Sequence, residues 1–362
     1  MARRVRSMGS DYVDAKRHAS VIRYKEDRER QGEALSAWDN DVMGQRDTLL
    51  RSSLLISEHV TPTLARTLNV VCDRLFIPRE KVDAFIKESP EIQASCLHSN
   101  ARCVLQFSSG LVNLLSAEEF SFVIGHELGH FLLMHRIMRD DTISLVFFSQ
   151  MRAQEISADR LGLVAAQNLN TAMRAIMKTV SGLGDRHLHY DVPHFIAQAK
   201  KIEKPYDSEA LTTTHPPMVI RCRALLWFST VHAWKDYPVM ERSGEMDTLD
   251  EKVKKELDPF VEKAVRQHIT QVKDDIKLWM IVQKIAMDGR FDKDEQKKFK
   301  EWFGEDMFVK VRNLLMSSTK ERLDDKIQKN VETSMEALKG MTGTRCAQHY
   351  ADIEEIVGKW VT

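Results

Sequence analysis

The segment His126-Glu127-Leu128-Gly129-His130 contains the residue types of metal-assisted hydrolysis. Residues four apart on an α-helix lie about 40° apart around the axis and one turn along it, so both imidazoles reach a single ion at Zn–N of about 2.0–2.1 Å. Glu127 then stands beside that ion, placed to take a proton from water. The plainer alternative is a pair of helical histidines that satisfy local hydrogen bonds. A catalytic zinc needs a third protein ligand and an open fourth position, and Glu155, further along the chain, is the candidate. Asp159 lies one turn beyond it, where a carboxylate accepts the outer N–H of a zinc histidine and fixes its tautomer. Taken alone, Glu155 and Asp159 read as an ordinary acid pair on a helix surface; after the HExxH segment they read as site residues.

Helices must hold these groups. Ser116-Ala117-Glu118-Glu119 is a capping box that opens a helix running to about residue 139, with Phe120, Ile124, Leu128, Phe131 and Leu132 on its apolar face. A second helix is expected over about 144–168, with Met151, Ala158, Leu161, Val164 and Ala165 inward. Antiparallel packing of the two would bring Glu155 under the histidine pair. Upstream, Leu64, Leu68, Val71 and Leu75 recur at helical spacing until Ile77-Pro78 closes that helix. Residues 94–97 and 102–107 are β-rich and flank a turn, which reads as a short hairpin. Residues 181–217 are mostly loop, with one helix at 195–202.

The chain has 362 residues, enough for two or three domains with real cores. Lysine plus arginine number 53, as do aspartate plus glutamate, so the net charge is zero and nothing global points to nucleic acid. Only 15 glycines and 9 prolines interrupt sequence rich in helix formers, which excludes an all-β fold. The fold class expected is α+β and mainly α-helical. No apolar run approaches the ~20 residues of a membrane span. The basic start is followed by Ser7, Ser10 and Asp11 rather than an apolar signal segment, and the five scattered cysteines lack CxxC spacing. Together these suggest a cytoplasmic protein with reduced thiols. Composition divides it into a charged helical arm (1–60), a domain holding the motifs (61–240) and a strongly charged helical region (247–362).

Residues 61–228 resemble the gluzincin peptidases that include HtpX and the CAAX prenyl-protein endopeptidases. The HExxH at 126–130, the ExxxD at 155–159, and Thr214-His215-Pro216 with Arg221 carry the resemblance, in family order. Ser109-Gly110-Leu111-Val112, Glu118-Glu119 and His135 also match the family's surroundings of its zinc helix. The resemblance implies a zincin-type metallopeptidase domain with a small β-sheet and one Zn2+ per chain held by His126, His130 and Glu155. It makes Glu127 the general base and later proton donor, with Asp159 behind the ligands. His215 would stabilise the tetrahedral oxyanion, and Arg221 would orient His215 or the substrate. Unlike many family members, this chain carries no spanning segment.

The hairpin then gains a use, since metalloendopeptidases hold peptide substrates as an added strand. Residues 141–150, with Ile143, Leu145, Val146, Phe147 and Phe148, read as a core-packed start to the second helix rather than a lid. His187, His189 and His194 are expected to line the cleft rather than to bind a second metal. The C-terminal helices form a bundle fit for a protein partner. Over 272–315 they are similar to TerB-like helical domains through Asp288-Gly289 and the acids after it, although a turn with N-cap acids explains that stretch equally. The leading reading is a soluble zinc metalloendopeptidase. The alternative is a zinc-keeping scaffold that is silent, or a peptidase made latent by residues 1–60 or 141–150 in the cleft.

Overall fold

A computed structural model describes residues 8–27, 36–135, 144–201, 212–257 and 263–360. The expected helical tail to residue 139, the first part of segment 141–150 and residue 202 lie outside them. In chain order the elements are α1 (Met8–Val21), α2 (Ser36–Ser52), β1 (Leu54–Leu55), α3 (Pro62–Arg74), β2 (Val82–Lys87), β3 (Ala94–His98), β4 (Cys103–Ser108) and α4 (Ser109–Leu114). Then follow α5 (Ala117–Leu132), α6 (Leu145–Ala166), α7 (Leu169–Ser181), α8 (Val192–Ala197), α9 (Met218–Phe228) and α10 (Gly244–Leu257). The last four are α11 (Lys263–Asp288), α12 (Lys293–Ser317), α13 (Lys320–Thr342) and α14 (Cys346–Gly358). The fold is α+β, mostly helical, with one small mixed sheet.

That sheet has the order β1-β2-β4-β3. β2 and β4 run parallel, and the expected hairpin forms as antiparallel β3 and β4, with Ala94 opposite Phe107 and His98 opposite Cys103. Cys103, Val104, Leu105 and Phe107 of β4 are all buried, the signature of a strand covered on both faces. β3 is one edge of the sheet and β1 the other.

The helix of the HExxH segment is fixed at both ends. Ser116 Oγ accepts the Glu119 N–H at 3.2 Å while Glu119 accepts the Ser116 N–H at 2.9 Å, completing the capping box. Arg174 and Lys178 of α7 grip the same Glu119 carboxylate at 2.9 and 2.7 Å. At the other end α5 stops at Leu132, short of the expected residue 139. Met134 takes the left-handed conformation (φ 56°), the Met134 N–H reaches Phe131 O, and the His135 N–H reaches His130 O at 2.8 Å. This is a Schellman turn, with methionine where glycine is usual.

α5 and α6 approach through glycine. A Cβ on Gly125 would lie 2.2 Å from Ala165 Cβ, and one on Gly162 would lie 2.8 Å from the Phe122 ring. Residues 150–165 of α6 are buried on every side, so this helix runs through the core instead of presenting an amphipathic face.

The described residues divide into two compact units, one within Met1–Ile137, Gln150–Pro205 and Thr213–Pro259, the other within Met138–Ser149, Tyr206–Thr212 and Phe260–Thr362. Two expectations shift. The segment read as a charged arm buries Tyr12, Ala15, Ala19, Ile22 and Tyr24 in the first unit, because a narrow stripe at helical spacing is hidden among its charges. Where composition places a boundary at residue 247, the units part at Pro259. Met246, Leu249, Val253 and Leu257 of α10 are buried, and Asp250 accepts from Arg160 at 2.5 Å and from Arg242. The second unit is a helical bundle around Ile281, Val282, Phe299, Leu338 and Ile353. Within it Gly289 takes φ 67° and Asp292 caps α12 in a capping box with Glu295, which accounts for the acidic stretch.

Candidate metal centre

His126 and His130 stand one turn apart on α5, with their Nε2 atoms 3.2 Å from each other. Glu155, delivered by α6, places Oε2 3.5 Å from His126 Nε2 and Oε1 3.5 Å from His130 Nε2. Among the described residues this is the one group of three His, Cys, Asp or Glu side chains able to hold a metal.

Hydrogen bonding fixes what these atoms offer. Asp159 Oδ1 accepts from His126 Nδ1 at 3.0 Å, which leaves His126 Nε2 bare toward Glu155. His130 Nδ1 faces His135 Nδ1 at 2.9 Å. Glu155 Oε2 is buried without an aligned hydrogen bond, although Arg221 Nη1 lies 3.1 Å away. Three lone-pair donors thus converge where a tetrahedral ion at about 2.0–2.2 Å would separate its ligands by roughly 3.3 Å. The donor set and its spacing fit zinc.

Glu127 is buried beside this group. Burial pushes its carboxyl up to about 7; the Glu155 charge adds to that, while His126 and Arg221 oppose it. Burial first, with the neighbouring His126 and His135 rings opposing a further positive charge, holds His130 well below the ordinary histidine range, so the ring is neutral at pH 7. Against the upward push of burial, the Arg221 charge and hydrogen bonds hold Asp159 well below the usual carboxylate range.

Arg221 is delivered by α9. Its guanidinium is a fork on Asp159, with Nε donating to Oδ2 at 2.8 Å and Nη2 to Oδ1 at 2.6 Å, and it lies against Glu155. It therefore holds the carboxylates behind the centre, and it also lines the cleft. His215 does arrive at the site, with Nε2 3.5 Å from Glu155 Oε2, Nδ1 against Thr214 Oγ1 at 2.9 Å, and a side chain 60% exposed.

A cleft of about 800 Å³ runs past the group, lined by His126, Glu127, Glu155, His215 and Arg221, by residues 87–93, and by Ala94 and Ser95 of edge strand β3. His187, His189 and His194 do not line it; His187 Nε2 instead accepts from Arg186. No described residue of the first 60 lines it either. Sequence reasoning missed two contributors. One is Asp27, which accepts from His135 Nε2 at 2.8 Å and from which no motif extends. The other is Gly125, whose only signal is its four-residue spacing from Gly129 in an otherwise bulky helix.

Residues 58–151 and 139–227 match the family model of Peptidase family M48. The plastoglobule-localized metallopeptidase 48, chloroplastic, of Arabidopsis thaliana is 25% identical over 228 residues, which cover 55% of this chain and 65% of that relative. No solved structure matches. The family match supports a metallopeptidase reading of residues 58–227. No helix among the described residues is long and apolar enough to cross a membrane.

Proposed function

We propose that the first unit is a zinc-dependent endopeptidase, with His126, His130 and Glu155 as the ligands of one zinc and Glu127 as general base. The observation that carries this reading is the convergence of three potential ligand atoms beside a buried carboxylate on the wall of an open cleft. Bound there, zinc supplies Lewis-acid polarisation of the scissile carbonyl and acidifies water from a pKa of 15.7 to about 7.

The chain's own residues do the rest. Glu127 takes a proton from the attacking water as its oxygen bonds to the carbonyl carbon, and returns that proton to the departing amine nitrogen as the C–N bond breaks. His215 Nε2, exposed at the cleft, donates to the oxygen on which charge develops. Asp159 holds His126 and is itself held by Arg221. A peptide lying along β3 extends the sheet by one strand, so its main chain is fixed and its side chains are only loosely selected. This makes protein segments in extended form the substrate class. The α11–α14 bundle is the part available to a protein partner.

Metal analysis of the purified chain combined with cleavage of casein, an unstructured substrate, tests the reading. One zinc per chain, with cleavage lost in Glu127→Gln, is expected. Zinc retained without cleavage in the unsubstituted protein would indicate a scaffold instead, and cleavage unchanged by Glu127→Gln would refute the mechanism.

A further inference from the structure

His126 and His130 are oriented by different means. His126 gives its outer proton directly to Asp159, whereas the outer nitrogen of His130 meets another histidine. A neutral imidazole has one donor and one acceptor, so the state of His130 depends on which nitrogen of His135 carries hydrogen. His135 Nε2 lies 2.8 Å from Asp27 Oδ2. A carboxylate only accepts, so that nitrogen bears the proton, and in the neutral ring His135 Nδ1 is left as acceptor. It takes the Nδ1–H of His130 at 2.9 Å, which leaves His130 Nε2 bare and facing Glu155.

Both ends of this relay are built in. Asp27 is 2% exposed and His135 7% exposed. Gln150 Nε2 donates to Asp27 Oδ1 at 3.1 Å, which settles the carboxylate's second oxygen. The segment before Asp27 is stitched to α6: the Tyr24 N–H donates to Ser157 Oγ at 3.0 Å and Arg160 donates to Ile22 O at 3.1 Å. His135 is aimed back at His130 by the Schellman turn, in which Met134 accepts a left-handed conformation that methionine rarely adopts. His98 Nε2 bonds the His135 carbonyl at 2.7 Å and steadies the same turn.

We propose that Asp27 is a positioning residue of the metal centre: acting through His135, it selects the His130 tautomer that presents Nε2 to the ion. The inference rests on the zinc reading above. It turns the N-terminal segment from a charged helical arm into a component of the site.

The test is zinc affinity of the full-length protein, measured by competition with a chromophoric chelator, for the unsubstituted chain and for Asp27→Asn, His135→Phe, His135→Gln and the double variant Asp27→Asn/His135→Phe. Outer partners of metal histidines typically contribute 10–100-fold to affinity. A loss in that range is expected for Asp27→Asn and His135→Phe. The double variant should be no weaker than His135→Phe alone, because the effect of Asp27 passes through His135. His135→Gln, whose Oε1 accepts the His130 proton unaided, should bind more tightly than His135→Phe. Equal affinity of Asp27→Asn and the unsubstituted chain overturns the proposal, as does an undiminished Asp27→Asn effect in the His135→Phe background. Should Asp27→Asn fail to fold, the two His135 variants decide alone, and equal affinities between them overturn it. An unsubstituted chain that takes up no zinc refutes the metal centre itself.

Discussion

Gly125 of α5 and Ala165 of α6 pack so closely that a Cβ added to the glycine would lie 2.2 Å from the alanine's Cβ. Real carbon atoms do not approach so closely, so the absence of a side chain at Gly125 sets the distance between the helix carrying His126 and His130 and the helix carrying Glu155.

Gly125→Ala should therefore push the helices apart despite alanine's better helix propensity. We expect a loss of roughly 1–3 kcal/mol in denaturant unfolding, typical of overpacking, together with weaker zinc binding in chelator competition. Gly129→Ala, whose added carbon would lie 3.2 Å from Ala158 Cα, should cost less. An equal cost at the two positions would contradict this account.

Glu127→Gln should move function and stability in opposite directions. In the metal-free protein burial raises the Glu127 carboxyl from its ordinary 4.5 to about 7. The folded pKa is the higher one, so the contribution is complete below about pH 4.5 and disappears as pH rises through about 7. Glutamine removes that loss. Thermal melts with chelator present should show the variant more stable at pH 8, by up to about 3 kcal/mol, with the gap closing toward pH 5, while cleavage is abolished.

Arg221→Lys should fail as a conservative change, because an ammonium cannot reproduce the two-pronged grip on Asp159. Removing one partner of a buried pair costs roughly 3–5 kcal/mol; lysine keeps the charge and should cost less, while a weaker hold on Asp159 should also loosen His126 and lower zinc affinity. Asp159's folded pKa is depressed, so the stability it contributes is present above about pH 4 and lost as pH falls further. The variant should have a smaller acid-side loss, which unfolding curves at pH 3–7 will show.

His215→Ala leaves the fold and the donor triad intact, since the side chain is 60% exposed. It should lower kcat by roughly 10²–10³-fold, as does removal of one oxyanion donor elsewhere, with zinc content unchanged. A drop confined to KM would instead assign His215 to substrate binding.

How much of this was legible beforehand depends on distance along the chain. The capping box at Ser116 and Glu119, the hairpin of β3 and β4 and the α6 helix around Glu155 are local patterns, and each forms where its spacing predicts. The end of α5 was less readable. A methionine in a left-handed turn carries no local signal, so the helix appeared to continue past Leu132. The stripe Tyr12, Ala15, Ala19 and Ile22 was present in the sequence, but charges on the remaining faces masked it.

The sequence by itself supplied the candidate residues: local helix geometry reads the two histidines and the glutamate within one turn, whereas His215 is singled out only by the family resemblance. Only the tertiary structure decided who holds whom. That Arg221 grips Asp159 rather than His215, that Gly125 admits Ala165, and that Asp27 reaches His130 through His135 are contacts across 62, 40 and more than 100 residues of chain. Periodicity does not constrain such distances; packing of the helices against one another does.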